Sequence, residues 1–324
     1  MKRLISLLLC ALLIVPALAE DAPDFEPIPW DIKVSPNLPN PDCYLPNNGG
    51  YHDGSIDIQI NVTYWTQDLQ QVDAPGEGTT TVMSARVKLT DVSQFRTGFA
   101  NKYPSKQARH VNDMTKRFNA VMGIDGDYCL YHEQGIVVRN GQTLRMRPHK
   151  GRDELIVDEN GDFHLITCTT QAKWDEYIAG GGTVLHAFCF GPALVVDGVP
   201  LTSLDDVTID NGKAKKAQRM VIGQIGKLEY LILTNEGPES TAPKSVGFDL
   251  VQMANLCVQF GLDNAYNLDG GSSSTIALNN QKINSPSSHK NRMVGDCIWF
   301  ATLVKEETWR EKESVQTVKV EENK

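Results

Sequence analysis

The sequence predicts an α+β fold: a mixed, largely antiparallel β-sheet with a few packed helices. Three features of its 324 residues point there. Short apolar or alternating runs recur between Gly, Asn and Asp turns, only two segments carry good helical spacing, and no βαβ unit of about 30 residues repeats.

Taken in order, Met1-Lys2-Arg3 is a basic start, and Leu4 to Val15 is almost wholly apolar before Pro16-Ala17-Leu18-Ala19. That pattern predicts a signal peptide over residues 1–19, cleaved after Ala19, and hence a secreted protein. An apolar run of about 12 residues is too short for a membrane span, which needs about 20. Residues 20–49 form a Pro/Asn-rich extension, with Pro23, Pro27, Pro29, Pro36, Pro39, Pro41 and Pro46 opposing regular structure. Trp30 or Cys43 is the expected anchor for it. The domain proper is expected over 50–304, followed by a charged tail at 305–324.

Within the domain, Ile56 to Val62 alternates strictly, as a half-buried strand does, and Thr79 to Leu89 reads as the next strand. Ser105 to Phe118 fits a helix capped by Ser105, with Ala108, Val111, Met114 and Phe118 at helical spacing. Ala120 to Ile124 is a short strand. Gly135 to Arg147 is a hairpin through Asn140-Gly141, and Leu155–Val157 with Phe163–Thr167 is another through Asn160-Gly161. The acidic turn from Asp158 to Asp162 lacks the sixth-position Gly and later Glu of an EF-hand, so it is a plain turn. Val184–Phe190, Ala193–Val196, Met220–Ile225 and Leu228–Leu233 are further strands. Gly247 to Phe260 is the better helix, ended by Gly261. Ala265–Leu268, Thr275–Leu278 and Cys297–Val304 complete the set.

A formal charge of −9 with no compact basic block argues against a nucleic-acid partner. Past the signal, the six cysteines 43, 129, 168, 189, 257 and 297 allow 15 disulfide pairings or none, and no C-x-x-C pair suggests zinc. No ligand spacing demands a metal, and no cofactor is expected. No membrane contact is expected after cleavage of the signal.

The most informative segment is Asn267-Leu-Asp-Gly-Gly-Ser-Ser-Ser-Thr275. Strand periodicity sends Asn267 and Asp269 to one face, and the two glycines admit positive φ and close approach of a ligand. An acid at a strand end beside a turn rich in N–H and hydroxyl donors suits an anionic or sugar ligand. The plain alternative is an Asp-Gly hairpin turn with serine filler.

This segment, with Asn284-Ser-Pro-Ser287 and Arg292-Met-Val-Gly-Asp296, resembles the signature of the phosphodiester glycosidase family. Ile124-Asp-Gly-Asp-Tyr128, Gly135 to Gly141, Phe190 to Gly198 and Gln218-Arg-Met-Val-Ile-Gly-Gln224 resemble its other blocks in order, so the likeness runs over about residues 50–304. It implies hydrolysis of a sugar-1-phosphodiester at the anomeric C–O bond, with a cell-wall or exopolysaccharide-type glycan as substrate. The chain departs from the family pattern at Asp125, Gln218, Met220, Asn235-Glu236-Gly237, Ser272 and Gly295. These changes bear on substrate identity more than on reaction type.

The resemblance implies Asp269 as the first catalytic carboxylate, with Asp127 or Asp125 as the second. It implies phosphate binding by Arg219 and Arg292, with donors from Gly270, Gly271, Ser272 and Ser273, and a sugar contact from Asn267. His289 is a candidate proton carrier, though a loop histidine is commonly just a surface residue. Two other readings are a non-catalytic glycan-binding protein on the same fold, and a serine hydrolase using Ser272 to Ser274; the latter lacks a G-x-S-x-G elbow.

Overall fold

A computed structural model describes residues 25–205, 215–239, 244–285 and 291–310. The expected signal peptide, His289 and most of the charged tail lie outside the described residues. In chain order the main elements are β1 (Gly50–His52), β2 (Ile56–Trp65), β3 (Thr80–Leu89), β4 (Phe95–Phe99), α1 (Val111–Phe118), β5 (Met122–Asp125), β6 (Gly135–Arg139), β7 (Gln142–Arg147), β8 (Glu154–Val157) and β9 (Phe163–Ile166). They continue with α2 (Gln171–Ala179), β10 (His186–Phe188), β11 (Ala193–Val196), β12 (Arg219–Gly226), β13 (Glu229–Asn235), α3 (Leu250–Gln259), β14 (Asn264–Asn267), β15 (Ile276–Leu278) and β16 (Asp296–Phe300). The fold is α+β and largely antiparallel, as expected.

The strands form three sheets among the described residues. The largest runs β1-β2-β3-β13-β12-β14-β11, a second runs β9-β8-β10-β6-β7, and a third runs β15-β5-β16-β4, with two-residue strands at some edges. Period-two alternation explains how they share a core. Met220, Ile222, Tyr230 and Ile232 point inward with Leu155, Ile124, Ile298 and Phe300 of the other two sheets. Their sequence neighbours Val221, Leu231 and Leu233 point outward and are covered by Leu250, Met253 and Cys257 of α3. In the same way α1 covers the outer side of the third sheet and α2 that of the second. None of the helices among the described residues is long and apolar enough to cross a membrane.

The N-terminal extension is anchored by Arg96, buried in β4. Its guanidinium donates to the carbonyls of Ile28, Pro29 and Ile32 and sits 4.7 Å from the Trp30 ring. Trp30 is thus an anchor, and Cys43 packs at the edge of the main core.

Two expectations need correction, and one helix was not expected. The first helix begins at Val111 rather than Ser105, because Arg109 pairs with Val294 as an isolated β-bridge (N···O 3.0 and 2.8 Å), which takes the backbone out of the helix. The last strand ends at Phe300, not Val304. Helix α2, capped by the Thr170 hydroxyl, had no sequence expectation; Trp174 is its one buried residue, so its apolar stripe is too thin to read as a period. The six cysteines past residue 20 are all unbridged.

Candidate active site

The site lies where the central strands of the largest sheet end. Antiparallel pairing sets Val221 of β12 opposite Asn267 of β14. Beyond it, Leu268 N donates to Met220 O (2.8 Å) and Gly271 N to Gln218 O (3.0 Å). The ladder is thereby extended into the glycine turn, and Gln218-Arg219 is held against residues 267–271. Gly271 has φ +61°, the left-handed region a side chain disfavours.

A cavity of about 420 Å³ opens at this point, and Arg219, Asn267, Asp269, Gly270, Gly271 and Arg292 all line it. The sequence-expected carboxylate, arginines, amide and glycines therefore converge. Ser272 and Ser273 do not line it, and neither do Asp125 and Asp127. The serine segment turns away through one 3-10 turn, Gly271–Ser273. Asn284 fastens its far end: Oδ1 accepts from Ile276 N (2.7 Å) and Nδ2 donates to Ser274 O (3.0 Å).

Asp269 is 8% exposed. Its N–H donates to Gly126 O (3.1 Å), and its Oδ1 accepts from Gly270 N (2.9 Å). Burial raises its pKa to about 6, against the pull of the Ser273 hydroxyl, the Arg292 guanidinium and the Gly270 N–H. Such a group exchanges a proton near neutrality, as a general base or acid must. If Asp269 works as the carboxylate, kcat/KM falls about tenfold per pH unit below about 6 and is level above it. A pH–rate profile checks this; a flat acid side would contradict it. Because Arg292 pulls this pKa down, Arg292→Ala should move the limb to higher pH.

Asp125 and Asp127 lie behind Asp269. Asp125 is fully buried; its Oδ1 accepts from Thr275 N (2.8 Å) and its Oδ2 has no partner among the described residues. Burial, and then the nearby Asp269 charge, push its pKa well above the ordinary carboxylate value. Asp127 shares the Arg139 guanidinium with Asp296: Arg139 Nη2 donates to Asp127 Oδ1 (2.8 Å) and to Asp296 Oδ2 (3.2 Å). Asp127 also accepts from Cys129 N (3.2 Å) and Cys189 N (2.9 Å). Burial would raise Asp127, but the Arg139 guanidinium and then the Cys189 N–H hold it well below the usual range. Burial and the Asp127 charge push Asp296 up instead. Gly126 makes room for this packing, since a Cβ there would lie 2.4 Å from the Asp296 carboxylate.

Ligand atoms of Asp127, Cys129 and Asp296 lie within 4.8 Å of one another. The residues do not fit a metal ion, because the Arg139 guanidinium already supplies the cation between the two carboxylates, and burial pushes the Cys129 thiol well above its ordinary value.

Arg219 is anchored through Nε to Phe248 O (3.3 Å) and through Nη2 to Lys215 O (2.6 Å). Arg292 is exposed and lies 5.6 Å from the centre of the Tyr128 ring. Tyr128, at φ +59°, stacks on Tyr131 with centroids 4.5 Å apart and forms an aromatic wall. Sequence reasoning gave no role to several lining residues. Tyr128, Phe190 and Gln218 stand inside recognised blocks, whereas His132, Arg152 and Lys215 stand in segments without a motif. His132 Nδ1 meets Gln134 O at 2.9 Å, and burial lowers its pKa.

No curated protein matches the chain in sequence. Among solved structures it is similar to the zebrafish N-acetylglucosamine-1-phosphodiester alpha-N-acetylglucosaminidase catalytic domain, auto-inhibited by its pro-peptide. That match has 14% identity, covers 76% of this chain and 84% of that one, and has a TM-score of 0.59. It is also similar to a hypothetical protein from Synechocystis at 14% identity, over 76% of this chain and 62% of that one, with a TM-score of 0.50. At such identities the likeness concerns the fold. Residues 118–301, more than half of the chain and containing most of the cavity wall, match the sequence profile of the phosphodiester glycosidase (NAGPA) family; the chain belongs to that family.

Proposed function

We propose that this protein is an exported hydrolase that cleaves the glycosidic C–O bond of a sugar-1-phosphodiester in a cell-wall or exopolysaccharide-type glycan. The observation that carries the reading is one cavity holding a buried carboxylate near neutral pKa, Asp269, together with two arginines, Arg219 and Arg292. Export rests on the basic and apolar pattern of residues 1–19.

The chemistry follows from the leaving group. A phosphate monoester departs with its charge already delocalised, so strong protonation is not required. Arginine forks suit phosphate oxygens and hold that charge. Asp269 then faces the anomeric side, where its carboxylate stabilises oxocarbenium character or takes a proton from water. Asn267 is placed for a sugar hydroxyl. Asp125 and the Asp127–Arg139–Asp296 group act through position: Asp296 O accepts from Gly126 N (3.1 Å), and Gly126 O accepts from Asp269 N.

The test is a panel of hexose-1-phosphate methyl esters beside the neutral methyl hexosides, with products identified by mass spectrometry. Free sugar and methyl phosphate are expected from the phosphodiesters. Arg219→Ala and Arg292→Ala should each lose about 1.5–3 kcal/mol of recognition for the phosphodiester and much less for the neutral glycoside. Equal losses on both would assign the arginines to folding or sugar contact. Tight binding across the panel without turnover would favour a glycan-binding protein.

A further inference from the structure

We propose that a second cleft, separate from the catalytic cavity, binds an anionic saccharide, such as a carboxylated or phosphorylated stretch of glycan. The cleft has a volume of about 480 Å³ and shares no lining residue with the catalytic cavity. It is built where the N-terminal extension, the end of β4, the last turn of α1 and the β6–β7 hairpin meet.

Its charge is the first argument. Among the described residues Lys33, Lys102, Arg117 and Arg139 line it and no carboxylate does, on a chain whose formal charge is −9. The positive charge of Arg139 is matched by Asp127 and Asp296. Lys33, Lys102 and Arg117 are exposed and enter no ion pair among the described residues. Three uncompensated cations around one concavity hold an anion.

The remaining wall suits a sugar. Phe99 and Tyr103 pack against each other with centroids 5.4 Å apart and provide an aromatic surface for a pyranose face. Asn101, Asn140 and Gln142 add amide donors and acceptors. Two buried polar atoms of the lining residues have no partner among the described residues: Arg139 Nε, a donor, and Asn140 Oδ1, an acceptor. A buried polar atom left unpaired is costly. A hydroxyl is both donor and acceptor, so it complements this pair as a lone anion cannot. A nucleic acid also offers phosphate and stacking, but the overall negative charge repels a long polyanion.

The cleft extends the protein's hold on a polymer and does not depend on what the catalytic cavity hydrolyses. Calorimetric titration of the full chain tests it with a galacturonate trimer, a sulfated heparin disaccharide, neutral maltotriose, inorganic phosphate and a ten-nucleotide single-stranded DNA. The expected result is binding of an anionic saccharide, weakening with salt, and at least about tenfold weaker in Lys102→Glu. Lys102 is exposed and its side chain makes no hydrogen bond or ion pair among the described residues, so this variant stays folded. Arg117→Glu should show the same loss, whereas Lys150→Ala, which lines neither cavity, should bind as the parent does. Four results would overturn the proposal: no binding of either anionic saccharide, equal binding of maltotriose, a preference for phosphate alone or for DNA, or a loss in Arg292→Ala with none in Lys102→Glu.

Discussion

Asp269→Asn should lower kcat/KM on a sugar-1-phosphodiester by at least about 100-fold, the cost of removing one acid–base or cation-stabilising carboxylate. The substitution is nearly isosteric. The amide keeps an oxygen for the Gly270 N–H, and the backbone bond to Gly126 O is untouched. The fold should therefore survive, and the circular dichroism spectrum and thermal transition should match the parent. Burial already disfavours the charged form of Asp269, so replacing it with a neutral amide leaves stability unchanged or raises it. The acid limb near pH 6 should vanish with the carboxylate. A folded variant with full activity would remove Asp269 from the reaction.

The second large effect concerns stability. Arg139→Leu should destabilise the fold by about 3–5 kcal/mol, the range for breaking a buried ion pair on one side only. Arg139 is 5% exposed; Asp127 and Asp296 are buried with it and have no other cationic side chain bonded to them among the described residues. Removing the guanidinium also frees the carbonyls of Val138 and Ala187, which accept from Nη1, and uncovers the Phe188 ring 4.4 Å beneath it. Arg139→Lys restores the charge without the fork and should recover only part of the loss. Urea denaturation followed by tryptophan fluorescence measures both. A loss under about 1 kcal/mol in Arg139→Leu would mean that the carboxylates find water or protons easily and that the group is not what holds Gly126 and Asp269 in place.

The sequence was most legible where local pattern and burial agree. The strands expected at Ile56–Val62, Met220–Ile225 and Leu228–Leu233 are present as β2, β12 and β13; the first alternates because Ile56 and Ile58 face the core and their neighbours do not, whereas the other two are apolar because both of their faces are covered. The turn from Asn267 to Thr275 announced the site, since a strand end, an acid and two glycines are contiguous in the chain. Position in depth was not legible. Asp125, Asp127 and Asp269 look alike as acids, yet only Asp269 reaches the cavity. Asp127 is committed to Arg139, 12 residues on, and Arg139 to Asp296, 157 residues on. No window contains those partners. The start of α1 failed for the same reason, its backbone being taken by Val294 from the far end of the chain. His132 and Arg152 reach the cavity by tertiary packing alone, with no spacing to mark them.

The central claim is attack at the anomeric carbon with the phosphate as leaving group. Hydrolysis of a sugar-1-phosphate methyl ester in ¹⁸O-labelled water tests it most directly, with each product weighed by mass spectrometry. The account predicts label in the anomeric hydroxyl of the free sugar and none in the methyl phosphate; label in the phosphate product would place the attack at phosphorus and contradict it.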